Sequence, residues 1–379
     1  MNILFYLTRY PGMGGIETVT SQMIEQFTLK EGHAIDVISH WQQEQSGGGI
    51  YARSIYHMPN GKQWTAQENI SYACDVVKNG HYDVIIYQDS YAPTEKIVCY
   101  LSKEYNIPLI VFEHNSPLFI YNKRDLSSWL TPKGLLRRLL HTYLLKKEIG
   151  RKMMLLNQSS RYVLLSEAYI PEFYTLVGFK NEGKVTYINN PVALQPIHPD
   201  RIRGKENILL YVGRLVVEKE VDKILRIWAE ISKELPAEWQ FVIVGDGPER
   251  TRLERLSASL QLKNIRFEGF RDPKSYYERA KLFIMMSKYE GWPLTLCEAM
   301  SQGVVPIVLN SFSAAQDIIK EGINGYLAAN EQVCCQRLLQ LLNNPQQLAN
   351  MSIQAVTHTT KYSIANIIPQ WETLINNCR

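Results

Sequence analysis

The chain has 379 residues, 45% of them hydrophobic and 21% charged, with a net charge of +4. That length exceeds one ordinary core and predicts two domains of similar size, and the composition is that of a folded soluble protein. So small a positive surplus gives no argument for a nucleic-acid partner.

The amino terminus, MNILFYLTRY, is a short apolar run that reads as a first strand rather than a leader. A glycine-rich turn, GMGG at 12–15, follows it. Gly14 and Gly15 lack Cβ atoms and so suit close approach of a ligand to the backbone. The turn lacks the full dinucleotide fingerprint, so no dinucleotide cofactor is expected. Glu17 opens the next helical segment, where a negative charge suits the helix dipole. AIDVIS, DVIIYQ, PLIVFEH and YVLLS are further short apolar runs of the kind buried in a parallel sheet. Helical segments such as PTEKIVCYLSKEY lie between them, a pattern of βαβ units and a doubly wound sheet. His114 ends the PLIVFEH strand.

The stretch 132–156 carries Lys133, Arg137, Arg138, Lys146, Lys147, Arg151 and Lys152 against only Glu148. Leu136, Leu139, Leu140 and Tyr143 form one apolar helical face. Such a helix either packs on its own domain or lies on an anionic membrane surface, and in the second case a lipid-linked sugar becomes a natural acceptor. From Ile188 to Arg203 the prolines multiply and periodicity fades, which marks a linker. A second alternating series follows: NILLYVGRL, EWQFVIVGDG, NIRFEGF, AKLFIMMS and VVPIVLN. The last segment, YSIANIIPQWETLINNC, reads as a helix broken near Pro369. The six cysteines show no paired spacing, so neither a zinc site nor a disulfide framework is expected, and reduced thiols of a cytosolic protein are the plain reading. No apolar stretch reaches the length of a membrane span.

The densest cluster of candidate chemistry is YEGWPLTLCEAM. Glu290 and Glu298 stand eight positions apart, after the strand-like LFIMMS and around a Gly291-Trp292-Pro293 turn. Pro293 suits the first helical position. The amides of Leu294, Thr295 and Leu296 then point outward, ready for an anion, outside the carboxyl end of a strand. Carboxylates repel phosphate, so the two glutamates suit sugar hydroxyls flanking a diphosphate, as in a nucleotide sugar. Arg214 and Lys219, in VGRLVVEK after another strand, offer the cations that a departing diphosphate needs.

These fragments, taken in order with FEHNSP at 112–117, INNPV at 188–192, FVIVGDGPER at 241–250, IRFEGF at 265–270 and DIIKEGINGYL at 317–327, resemble retaining glycosyltransferases of family 4 over nearly the whole chain. The resemblance implies an α/β, GT-B fold of two Rossmann-like, doubly wound domains facing across a cleft. Residues 1–190 would form the acceptor-side domain, with a final helix 361–379 crossing back to it, and 191–360 the nucleotide-sugar domain. It implies that Glu290 contacts hydroxyls of the transferred sugar, Glu298 the ribose, and Arg214 and Lys219 the phosphates. Gly291, Trp292, Pro293, Leu294 and Thr295 would line the same donor site, and His114 would touch the donor sugar. Gly14 and Gly15 would face donor and acceptor. The implied activity is metal-independent transfer to a glycan or glycolipid, with UDP favoured over GDP and without a cofactor. One departure stands out: Glu220 occupies the place after the lysine where the family usually has glycine. The rival readings are an epimerase or phosphorylase on the same fold, and a non-catalytic nucleotide-sugar-binding subunit.

Overall fold

The computed structural model describes residues 1–42, 51–61, 63–89, 93–122, 132–181, 183–234 and 238–378. They divide into two compact units, Met1–Pro191 with Ala365–Arg379, and Val192–Ile364.

The first unit is built on seven strands: β1 Asn2–Arg9, β2 Ala34–Trp41, β3 Ser54–His57, β4 Val84–Asp89, β5 Leu109–Glu113, β6 Arg161–Leu164 and β7 Val185–Tyr187. Their order is β3-β2-β1-β4-β5-β6-β7, and every pairing is parallel. Ile3, Leu4, Phe5, Tyr6 and Leu7 are all buried, as expected of a strand covered on both faces. The helix Gly15–Leu29 buries Val19, Met23, Ile24 and Phe27, spaced to form one face.

The second unit holds β8 Glu206–Val212, β9 Gln240–Val244, β10 Ile265–Gly269, β11 Ala280–Met285, β12 Val305–Leu309 and β13 Tyr326–Ala328. The order is β10-β9-β8-β11-β12-β13, again parallel throughout. The helix Val221–Ile231 buries Val221, Ile224, Leu225, Ile227, Trp228 and Ile231 in this unit's core. In each sheet the strand order reverses at one place, between β1 and β4 and between β8 and β11. In open α/β sheets ligands bind beyond the carboxyl ends of strands at such switch points.

Two sequence expectations need correction. The last helix runs unbroken over Ile364–Asn376 with Pro369 inside it. Proline forfeits one hydrogen bond, to the carbonyl of Ala365, and burial of Ile367, Ile368, Trp371 and Ile375 outweighs that loss. The basic helix spans Pro132–Gln158, but its charges are not all solvated. Arg151 and Lys152 are buried in ion pairs, whereas Leu139 and Tyr143 are 61% and 62% exposed. Leu140 and Leu144 are exposed beside them. The side chains of Lys133, Leu136, Arg137 and Arg138 lie outside the described residues.

Candidate active site

The second unit's site grows from the two strands at its switch point. Beyond β8 the loop is pinned to the next one, with Gly213 N–H donating to Val244 O at 3.0 Å and Leu215 N–H to Asp246 O at 2.9 Å. Gly245 is required here: its φ is +141°, and a Cβ would sit 2.0 Å from Gly213 O. Arg214 projects from this loop, exposed and with no carboxylate partner among the described residues. A single turn of 3-10 helix, Val217–Lys219, then carries Lys219.

Beyond β11 the chain returns alongside. Lys288 N–H donates to Glu218 O at 2.9 Å, and Lys219 Nζ meets Glu290 Oε1 at 2.5 Å. Glu220 explains how a non-glycine fills the glycine position. It adopts φ +48°, and its carboxylate pairs with Lys223 Nζ at 2.8 Å and Lys288 Nζ at 3.3 Å. The acid is thus neutralised by two lysines, and one of them ties the Lys219 turn to the Glu290 loop.

Gly291 leads to Trp292, which is buried edge-on against Tyr362 with ring centres 5.0 Å apart. Pro293 is the N-cap with φ −76° and ψ 92°, not the first helical residue, and the helix runs Leu294–Ser301. Leu296 N–H is already taken by Pro293 O at 3.1 Å. The outward donors expected at this helix start therefore reduce to those of Leu294 and Thr295. Glu298, a turn further along, receives the Tyr277 hydroxyl on Oε2 at 3.0 Å. Burial raises the Glu298 carboxyl above its ordinary range, the Tyr277 hydrogen bond pulls it back, and Asp272 raises it further.

In the first unit the glycine turn closes on protein rather than on open space. Arg9 Nε bonds Glu17 Oε1 at 2.5 Å, and a Cβ on Gly14 would lie 2.1 Å from Glu17 Oε2. Gly14 is needed to pass its own ion pair, while Gly15 has nothing within 4 Å of a Cβ. Glu17 thus has a partner of its own besides the dipole. His114 directly follows β5. Its Nε2 is hydrogen-bonded to Gln88 Oε1 from the end of β4, and its ring lies 4.2 Å from that of Phe112. Trp371, from the last helix, packs edge-on against Phe112 at 4.7 Å. Glu113 turns to the opposite face, where Lys152 and the Tyr162 hydroxyl, at 2.6 Å, hold it.

Within the second unit, Lys219 and Glu290 touch, and the segment Gly291–Thr295 joins them to Glu298. Gly14, Gly15 and His114 belong to the first unit. Sequence reasoning missed Gln88, Tyr277, Lys288 and Trp371. Of these only Gln88 carried a signal, its place at the carboxyl end of a central strand.

Two parallel, doubly wound units of this kind constitute the GT-B architecture. Residues 197–358, most of the second unit, match the model of the family described as Glycosyl transferases group 1. The whole chain superposes on the crystal structure of Anabaena HepE in complex with UDP and glucose, with a TM-score of 0.76 at 16% identity, covering 100% of both chains. Among curated proteins, an uncharacterized glycosyltransferase of Haemophilus influenzae is 29% identical over 202 residues, 52% of this chain and 56% of its own length. An amylovoran biosynthesis glycosyltransferase, AmsD, of Erwinia amylovora is 26% identical over 233 residues, 60% of this chain and 63% of its own. The matches therefore span between about half and two thirds of these relatives' lengths.

Proposed function

We propose that this chain is a retaining glycosyltransferase that moves a sugar from a nucleotide-diphosphate donor to a glycan or glycolipid acceptor in cell-surface polysaccharide assembly. The observation that carries the reading is the Lys219–Glu290 pair at the second unit's switch point, beside an exposed Arg214 and the start of the helix Leu294–Ser301. Arg214, Lys219 and the amides of Leu294 and Thr295 take the diphosphate, Glu298 the ribose, and Glu290 with His114 the sugar hydroxyls. Gly14, Gly15, Gly291, Trp292 and Pro293 shape the walls. UDP is favoured over GDP by the HepE structure, which holds UDP, although that likeness is one of fold.

In this reading the sugar–phosphate bond breaks as the acceptor oxygen bonds the same face of the anomeric carbon. The departing phosphate takes the acceptor's proton, so the protein supplies charge stabilisation and orientation rather than a base. Fixed cations and amides do this without a metal or cofactor. The exposed Leu139, Leu140, Tyr143 and Leu144, next to Lys146 and Lys147, suit the anionic inner face of a membrane and hence a lipid-linked acceptor. Among the described residues no helix is long and apolar enough to cross a membrane.

The test is a thermal-shift panel of UDP- and GDP-sugars, followed by transfer assays with the donor that stabilises most. A true donor raises the melting temperature by mass action. Binding without transfer across a broad acceptor panel would instead favour a non-catalytic nucleotide-sugar-binding subunit.

A further inference from the structure

Lys205 immediately precedes β8 and, for a lysine, is unusually enclosed, only 6% exposed. Its Nζ donates to three backbone oxygens: Tyr277 O at 2.7 Å, Ala280 O at 2.9 Å and Glu278 O at 3.1 Å. An ammonium has three protons, so the backbone alone fills its donor capacity. These carbonyls end the helix Lys274–Arg279 and begin β11. The last carbonyls of a helix have no partner within it, and a cation beside them also suits the helix dipole. A helix of six residues does not stand on its own propensity, so what fixes its end also fixes its side chains. Arg279 and Glu206 pair across the same junction at 2.6 Å, but on the exposed surface, where such a pair contributes little. Lys205 is the buried clamp.

The helix that it clamps carries Tyr277. The Tyr277 ring is buried, and its hydroxyl donates to Glu298 Oε2 at 3.0 Å. One residue thus gives its carbonyl to Lys205 and its hydroxyl to Glu298. A hydrogen bond of this length is lost when the donor moves by about 1 Å. Burial pushes the Lys205 ammonium down to about 7, Glu278 pulls it back and Arg201 lowers it further. On the acid side of neutrality, where Glu298 titrates, all three protons of the clamp are therefore in place.

We propose that Lys205 is a positioning residue for Glu298, clamping the end of the helix Lys274–Arg279 so that the Tyr277 hydroxyl stays on the carboxylate. Its consequence for the nucleotide rests on the reading that Glu298 holds the ribose. With the clamp released the hydroxyl withdraws, and burial and Asp272 then raise the Glu298 carboxyl without opposition.

The experiment is a carbon-13 NMR titration of the full chain labelled at its glutamate carboxyls, with Glu298→Gln identifying the signal. Lys205→Met is expected to move the Glu298 midpoint to higher pH, as Tyr277→Phe does. Added to Tyr277→Phe, it is expected to move the midpoint no further. Lys205→Gln keeps two donors and is expected to give a smaller shift, and it carries the same comparison if Lys205→Met does not fold. A merely structural lysine would lower the melting temperature and leave the midpoint where it is, which overturns the proposal. An equal shift with and without the Tyr277 hydroxyl also overturns it, since the lysine would then act by its charge alone. UDP is the ligand probe: at pH 5 its affinity is expected to fall at least threefold in Lys205→Met. If Glu298→Gln bound UDP as wild type does, the ribose reading would fail, while the carbon-13 midpoints still decided the role of Lys205.

Discussion

Lys219 and Glu290 lie 71 positions apart in sequence and meet as an ion pair, with side chains 23% and 11% exposed. The cation proposed for the diphosphate and the carboxylate proposed for sugar hydroxyls thus neutralise each other. Removing one partner takes that neutralisation away from a charge that is largely buried. Lys219→Met is therefore expected to cost about 1–3 kcal/mol, and Glu290→Gln less because a neutral amide is cheaper to bury. The double variant is expected to be less destabilised than the sum of the two, by about 0.5 kcal/mol or more. Denaturant unfolding of the four proteins measures this, and strict additivity would show that the pair is not coupled.

Glu220 presents two opposed effects on one residue. Its left-handed backbone is disfavoured by about 1–2 kcal/mol relative to glycine, while its pairs with Lys223 and Lys288 are favourable. Glu220→Ala keeps the strain and loses both pairs, whereas Glu220→Gly loses the pairs and relieves the strain. The alanine variant is expected to be the less stable of the two by about 1 kcal/mol. Equal melting temperatures would contradict the strained geometry.

Glu298 gives a pH dependence with a definite sign. Burial raises its folded-state pKa above the unfolded value, so its contribution to stability is fully present below the unfolded pKa and is lost as pH rises through the folded one. In the proposed ribose role nucleotide binding runs the other way, because only the ionised carboxylate would accept both ribose hydroxyls. UDP affinity is expected to fall on acidification through the raised pKa. Tyr277→Phe removes a hydrogen bond to the charged form, so its acid limb moves to higher pH, while Glu298→Gln flattens the limb. Calorimetric titration with UDP between pH 4 and 8 distinguishes these cases, and an unchanged limb in Tyr277→Phe would sink the coupling.

Most of the fold was legible because each strand carries its own signal: a short run buried on both faces. The pair at 290 and 298 was legible for a similar reason, as a local spacing after a strand. What stayed hidden depends on partners distant in sequence. Tyr277 meets Glu298 only when two segments of the second unit are packed, and Gln88 meets His114 only across two neighbouring strands. Gly14 was read as room for a ligand, and nothing local announced that Arg9 and Glu17 fill that side. Pro369 misled because propensity weighs one lost hydrogen bond and cannot see the four apolar side chains that hold the helix in place.

Transfer itself is expected to depend on the proposed donor-site charges. Arg214→Ala and Glu290→Ala are each expected to lower turnover of the best donor by about 100-fold or more, the scale of losing one charge-stabilising group. EDTA is expected to leave the rate unchanged. Wild-type turnover in either variant would refute the site, and loss of activity with chelator would refute the metal-free mechanism.

The exposed face of the helix Pro132–Gln158 makes the last prediction. Lys146→Glu with Lys147→Glu is expected to reduce binding to liposomes containing anionic lipid, at roughly 1 kcal/mol per charge removed near the surface. Sedimentation with such liposomes reads it, and unchanged partitioning would return the helix to a role within the folded unit.

Trp371 reaches Phe112 from the far end of the chain, and that contact dictates an order of assembly. The second unit is one continuous stretch, Val192–Ile364, and all of its sheet has been synthesised before the residues of the last helix appear. The first unit begins to emerge earlier yet lacks the side chain behind Phe112 until position 371 has left the ribosome. Domains commonly fold from the amino terminus as they are made. Here the half that begins to emerge first cannot be complete until the last helix has been made.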